Sequence, residues 1–261
     1  MSSVNAYVAR LLIYPIKSLD AVKCDRVTVL ESGALKGDRT RAIVDRSGNF
    51  VNGKRNREVH SLRSQFDLET NYLLLQIQGR AGKFNLVTEQ QALCNWLEDY
   101  FGFPVEIKQN LEMGFPDDTV SPGATIVSTA TLEAIADWYP ELTTEDIRRR
   151  FRTNIEIAGV PAFWEDKLFT TPEQTVKFKV GDVEFMGVNP CQRCVVVTRD
   201  PQTGQPYPEF QKTFIQQRKN TLPEWTERSR FNHYFRLAVN TRLSATEVGK
   251  VIEVGNKIHL V

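Results

Sequence analysis

The chain of 261 residues contains no apolar run approaching the roughly 20 residues of a membrane span. Its start, Met1 to Tyr7, leads straight into a strand pattern, with no basic segment ahead of an apolar one, so no targeting or anchoring segment is expected. Neither sign of charge is in excess. Lys and Arg number 33 against 32 Asp and Glu, and a net charge of +1 gives no bulk reason to expect nucleic acid or a membrane as partner. Cysteine is scarce: two of the four, Cys24 and Cys94, are isolated, so no disulfide framework is expected and a reducing cytoplasm is the compartment that fits. The three histidines, His60, His233 and His259, are scattered and make no zinc-ligand spacing. No internal repeat, low-complexity tract or Gly-x-Gly-x-x-Gly dinucleotide fingerprint occurs.

What is present is ordinary globular composition, 41% hydrophobic and 25% charged, at a length that suits one large or two modest domains. The Pro-, Gly- and Asp-rich stretch 110–122 marks the candidate boundary, giving expected halves 1–115 and 116–261. Apolar or alternating patterns predict strands over 7–13, 22–30, 41–45 and 71–78, with a turn at Arg46-Ser47-Gly48-Asn49. A 3.6-residue period predicts a helix from Glu89 to Phe101, closed by Gly102 and Pro104. Ser128 and Thr143 are placed to cap two short helices. Strands return at 176–185 around Gly181-Asp182 and at 251–261 around Gly255-Asn256, the latter read as a hairpin. Many short strands with few helices predict a mainly β fold containing a barrel.

The chemistry concentrates in Asn189-Pro190-Cys191-Gln192-Arg193-Cys194, followed by Val195-Val196-Val197-Thr198 and Arg199-Asp200-Pro201-Gln202-Thr203-Gly204. Cys-x-x-Cys spacing suggests a redox dithiol or half of a zinc site. A redox dithiol draws its low pKa from a helix N-terminus, whereas the β-branched run after Cys194 predicts a strand. A structural zinc needs two more nearby ligands, and none is spaced for it.

Cys-x-Arg-Cys, a β run and Asp-Pro-x-Thr-Gly together resemble the signature of the MOSC family, named after the C-terminal part of molybdenum cofactor sulfurase. Four other stretches agree in order: Tyr14-Pro15-Ile16-Lys17-Ser18, Gly37-Asp38-Arg39, Phe151-Arg152-Thr153-Asn154-Ile155 and Tyr234-Phe235. The likeness is to the two-part type, an N-terminal β-barrel-like domain followed by the MOSC domain, as in the mitochondrial amidoxime-reducing component and its bacterial relatives. It implies a pterin molybdenum cofactor between the two halves, with Cys194 ligating the metal and Lys17, Ser18, Arg39, Arg152, Asn154, Arg193 and Tyr234 touching the cofactor. Pyridoxal phosphate binding is a broader, family-level implication.

Physical chemistry supports the pairing. A dithiolene-held molybdenum is a soft centre that suits a thiolate, the cofactor's phosphate suits Arg forks and a Lys point charge, and Arg193 favours the thiolate form of its neighbour. Each residue also has a plainer reading. Lys17, Arg39 and Arg152 taken singly read as surface charges, Ser18 and Asn154 as turn hydrogen-bonders, Tyr234 as core packing and Cys191 as a buried small hydrophobe.

Two functions remain open on the sequence. One is an oxidoreductase that reduces small N-hydroxylated substrates with electrons from a separate reductase, since the chain has too few cysteines for its own iron–sulfur cluster. The other is a carrier of the cofactor or a sulfur-transfer module without redox turnover.

Overall fold

Side-chain alternation along the first strand decides the architecture. In the computed structural model, which describes residues 5–261, β1 (Tyr7–Ile13) buries Val8, Leu11 and Ile13 in one core. Val8 and Leu11 share a face although they are three residues apart, because the register against the neighbouring strand shifts between Val8 and Arg10. Such a bulge resets the two-residue period. Arg10, Leu12 and Tyr14 are thereby turned to the opposite side.

The first half continues with β2 (Val22–Cys24), β3 (Arg26–Thr28), β4 (Arg41–Asp45), β5 (Arg63–Phe66), β6 (Tyr72–Ile77), β7 (Arg80–Asn85), α1 (Gln90–Phe101) and β8 (Val105–Gln109). The second half holds β9 (Ile126–Ser128), α2 (Thr129–Ala136), α3 (Thr144–Phe151), β10 (Ile155–Ala158), β11 (Val176–Val180), β12 (Val183–Gln192), α4 (Phe210–Asn220), β13 (Arg236–Leu243), β14 (Val251–Glu253) and β15 (Ile258–Leu260). Eight strands form one mixed sheet in the order β15-β11-β12-β13-β9-β10-β1-β2. The first half thus contributes two strands to the sheet of the second, while β4 pairs β8 and β5-β6-β7 form a meander. The stretch 110–125 between the halves carries no helix or strand.

The mainly β architecture agrees with the sequence pattern, and the caps act as their residues suggest. Gly102 closes α1 in the left-handed conformation, the Ser128 hydroxyl accepts from Thr131 N, and Thr143 forms a reciprocal capping box with Asp146. Three details differ. The chain around β15 returns to β1 through the Tyr7–Lys257 bridge and the backbone bonds Val8 N to Asn256 O and Ile258 N to Ala6 O, but β15 and β2, the two ends of the sheet, do not pair, so no closed barrel ladder forms among the described residues. The 251–261 segment is no hairpin: β14 pairs β3 and β15 pairs β11, so the Gly255-Asn256 turn passes the chain from one sheet to another. Val195–Thr198 is a 3-10 turn and not a strand. Only Val197 of that run is buried, and the Thr198 hydroxyl and Arg199 N–H satisfy the Val195 and Val196 carbonyls locally, leaving no ladder for β propensity to act through.

Three apolar clusters support the sheets. One lies under the large sheet, around Val8, Leu11, Phe178 and Phe185. A second packs α2, α3 and α4 around Phe151, Phe210 and Phe214, and a third fills the first half around Leu62, Leu75 and Leu97. Within the second half Glu165 is buried beside Asp166, with one carboxylate oxygen accepting from Thr131 and the other lacking a partner among the described residues. Burial, reinforced by the charge of Asp166, pushes its pKa up to about 7. A raised folded-state pKa means that stability is greatest below the ordinary value of 4.5 and is lost as pH rises through about 7. Glu165→Gln is therefore expected to flatten the stability profile between pH 5 and 8, relieving a penalty of the order of 3 kcal/mol at pH 8. Urea melts of both proteins across that range check this; parallel profiles would refute it.

Candidate functional site

Tyr14 ends the outward-facing row of β1 and lies at the centre of the site. Two guanidinium groups lie over its ring, Arg152 at 4.2 Å and Arg39 at 5.0 Å from the centroid. Its backbone N–H donates to the Asp38 carboxylate at 2.8 Å, its carbonyl accepts from Arg39 N at 2.7 Å, and its hydroxyl donates to the Thr153 carbonyl at 3.2 Å. One residue thus gathers Gly37-Asp38-Arg39 from the first half and Arg152-Thr153 from the second. Burial pushes the Tyr14 phenol up to about 12, against the pull of Arg152 and Arg39, so the hydroxyl stays a donor at any working pH.

Each cation is positioned by backbone. Lys17 N donates to the Arg41 carbonyl, and its ammonium reaches the Phe115 carbonyl at 3.0 Å and the Asp117 carboxylate. Arg39 pairs with Asp38; Asp38 and Asp117 keep its charge favourable against the burial that opposes it. Arg152 follows α3 in the left-handed conformation and donates to the Leu19 carbonyl across the seam at 2.6 Å. Burial pulls its pKa down, with Tyr14 opposing and Arg39 adding to the shift, and no carboxylate lies within 4.0 Å of it among the described residues. Arg193 lies over Phe151 and donates to the Leu237 and Phe151 carbonyls, each at 3.1 Å.

These side chains line one cavity of about 800 Å³ between the two halves. Lys17, Ser18, Arg39, Arg152, Arg193 and Cys194 all border it. Cys194 is exposed, whereas Cys191 three residues earlier is buried in the α2–α4 core, where burial raises its pKa despite Arg193. The two thiols therefore have different surroundings. No group of three or more His, Cys, Asp or Glu able to hold a metal occurs among the described residues, which leaves the zinc reading without its ligands.

Two expected contacts lie elsewhere. Asn154 is buried with its amide committed: Nδ2 donates to the Leu12 carbonyl at 3.1 Å, and Oδ1 accepts from the Thr125 N–H and hydroxyl. It brackets β1 to the β9–β10 edge and does not border the cavity. Tyr234 stacks on Phe231, with ring centroids 5.9 Å apart, and packs against the core under the large sheet. Its plainer reading as core packing is the one the contacts match.

The structure also adds residues that no motif singles out. Arg199 borders the cavity and donates to the Gly53 carbonyl across the seam; its only sequence signal is its place beside the Asp-Pro-x-Thr-Gly turn. His60 shares that carbonyl through Nε2 at 3.3 Å. Burial, with the fields of Arg199, Arg152 and Arg63, holds its imidazole below the usual range, so it adds no further positive charge at neutral pH. Arg150, on α3, sends its guanidinium to the Val197 and Arg199 carbonyls and shapes the turn after Cys194.

The cavity takes twelve Lys and Arg side chains against three carboxylates, in a chain whose net charge is +1. It is built for an anion. A molybdenum pterin fits the donors present: the Arg193 Nη2 is buried without a hydrogen-bond partner among the described residues, Arg152 is half-buried with no carboxylate within 4.0 Å among the described residues, and an exposed thiol lies in the same cavity. Lys17, Arg39, Arg152 and Arg193 would hold the anionic parts of such a group.

A mainly β protein with an anion cavity and a thiol at the seam of two halves defines the class. Residues 5–102 match the family described as the MOSC N-terminal beta barrel domain and residues 123–259 match the MOSC domain, and the chain belongs to the MOSC family. It is 23% identical over 248 residues to human "Molybdenum cofactor sulfurase", an alignment covering 76% of this chain and 27% of that protein. It is 26% identical over 243 residues to rat "Mitochondrial amidoxime reducing component 2" and 25% over 236 residues to human "Mitochondrial amidoxime-reducing component 1". Those alignments cover 76% of this chain and 68% and 67% of the relatives. The chain thus spans about a quarter of the human and bovine sulfurases and about two thirds of the amidoxime-reducing components. No helix among the described residues is long and apolar enough to cross a membrane.

Ser18, Arg39 and Arg152 share one further property: each is a non-glycine residue at positive φ, 75°, 49° and 52°. The left-handed region costs such residues about 1 kcal/mol, and such costs gather at functional sites. Arg152→Gly is accordingly expected to be about 1 kcal/mol more stable than Arg152→Ala, while both lose the Leu19 tie and retain less anion. Thermal melts of the two variants, with phosphate binding read by calorimetry, check this. A glycine variant no more stable than the alanine would refute the backbone argument.

Proposed function

We propose that the chain holds a molybdenum cofactor in the seam cavity and reduces N-hydroxylated compounds with electrons delivered by a separate reductase. The observation that carries the reading is the placement of exposed Cys194 in the same cavity as four cations drawn from distant segments, Lys17, Arg39, Arg152 and Arg193. The two relatives named as amidoxime-reducing components favour this chemistry.

Bound there, the cofactor would supply a two-electron redox centre for taking oxygen off nitrogen. Converting an N-hydroxylated substrate to the amine and water consumes two electrons and two protons. The chain's own part is binding and orientation. Arg152 and Arg39, fixed against the ring of Tyr14, would hold the anionic end of the group, Arg193 would fill its open donor position, and Cys194 would give the thiolate. The carbonyl bonds of Arg152 and Arg193 keep these donors in place before the ligand arrives, so little reorganisation remains. Pyridoxal phosphate is not part of this reading. A cytoplasmic setting, where thiols stay reduced, suits an exposed Cys194.

A second reading, cofactor carrier or sulfur-transfer module, is favoured by the sulfurase relatives and by the same exposed thiol. Metal and pterin analysis of protein from a cofactor-sufficient host tests the shared premise. About one molybdenum per chain is expected for the wild type, a loss of tenfold or more for Cys194→Ser, and little change for Cys191→Ala, whose thiol faces the core. Equal losses from both variants would bring back the dithiol.

Turnover separates the two readings. Metal-loaded protein should reduce an amidoxime or hydroxylamine with a chemical reductant or a reconstituted reductase chain, and should not oxidise NADH alone, because no dinucleotide fingerprint is present. NADH consumption by the isolated chain would overturn the separate-donor claim. Bound molybdenum with no turnover under any donor would favour the carrier.

A further inference from the structure

The charge in the cavity falls into two groups, and only one surrounds Tyr14. The strand rise of about 3.3 Å per residue puts Arg10 about 13 Å from Tyr14 along the same wall. There Arg10, Arg148 and Arg149 gather round Glu145 and Glu156. Arg10 lies 4.0 Å from Glu145 and 3.9 Å from Glu156, Arg148 bonds both carboxylates, and the Arg149 Nε is 3.3 Å from Glu145. Lys23, paired opposite Leu12, adds a fourth cation with no carboxylate within 4.0 Å among the described residues. Four cations against two carboxylates leave two positive charges. Gln65 and Gln76, on the adjoining β5–β6 hairpin, border the same cavity as neutral donors and make no side-chain hydrogen bond among the described residues. Lys23, Arg149, Gln65 and Gln76 are exposed, so the group opens to solvent.

A surplus of two positive charges with neutral donors alongside is complementary to a phosphate dianion. The outer cations are held on Glu145 and Glu156 and the inner guanidiniums on Tyr14, so the two groups are anchored separately. We propose that the outer group is a second phosphate site, one that recruits N-hydroxylated substrates bearing a phosphomonoester and lets the reacting nitrogen extend inward toward Cys194. The substrate half of this inference rests on the reductive reading above; the phosphate site does not.

Calorimetric titration of the cofactor-free chain with inorganic phosphate should resolve two sites. The double variant Lys23→Gln/Arg149→Gln, confined to exposed side chains, should lose one, and Arg152→Ala the other. In the holoenzyme, a matched pair of N-hydroxylated substrates with and without a phosphomonoester should respond differently to the double variant. The KM of the phosphorylated member should rise at least tenfold, with kcat and the neutral member's KM unchanged. A single phosphate site, or a double variant that keeps both, overturns the inference. So does release of a nucleoside monophosphate from the bound cofactor on acid hydrolysis, since the outer cations would then serve the cofactor. Two phosphate sites without turnover of either substrate would defeat the reductive reading and leave the phosphate site supported.

Discussion

Like charges crowded into a cavity repel, and the organisation of the site follows from how this chain contains that repulsion. Five of the cavity's cations, Lys23, Lys54, Arg152, Arg193 and Arg199, have no carboxylate within 4.0 Å among the described residues. Three of the five are instead tied by backbone carbonyls: Arg152 to Leu19, Arg193 to Leu237 and Phe151, Arg199 to Gly53. Aromatic faces at Tyr14 and Phe151 take up further positive charge. Carbonyls and rings orient a guanidinium without neutralising it. The charge is thereby kept for a ligand, which an ion pair with a carboxylate would have cancelled.

The same bonds join the two halves. Arg152 to Leu19, Tyr14 to Thr153, Asn154 to Leu12 and Arg199 to Gly53 each run from one half to the other. The ties that anchor Arg152 and Arg199 therefore also fix the seam. Asn154 shows the division of labour: it supplies none of the cavity wall, yet its bracket holds Leu12, and with it the row that ends at Tyr14, against the second half.

Much of this was legible in the sequence, and the limits have physical causes. Caps and periodicity located α1, α2, α3, β1 and β4 because these signals are local. The Val195–Thr198 run misled because β propensity counts only where a partner strand exists, and here Arg150 and local turn bonds take the carbonyls. The grouping of Lys17, Arg39, Arg152, Arg193 and Cys194 followed from ordered motifs. Tyr14 as their common wedge, and Arg199 and His60 meeting at the Gly53 carbonyl, depend on contacts between residues far apart in the chain, for which no local pattern exists. Asn154 and Tyr234 lie within motif stretches but point away from the cavity, a matter of strand and turn geometry that residue type cannot reveal.

The bulge between Val8 and Arg10 gives the site a dependence on counting as well as on chemistry. Past it, odd-numbered positions of β1 belong to the core and even-numbered ones to the cavity. Deleting a single residue there would keep every other side chain and exchange their destinations: Leu11 and Ile13 would face the cations, and Arg10 and Tyr14 would be driven into hydrocarbon. Length changes in the irregular 110–125 connection leave that parity untouched. The frame of one short strand, more than the identity of any residue in it, is the least negotiable feature of the architecture.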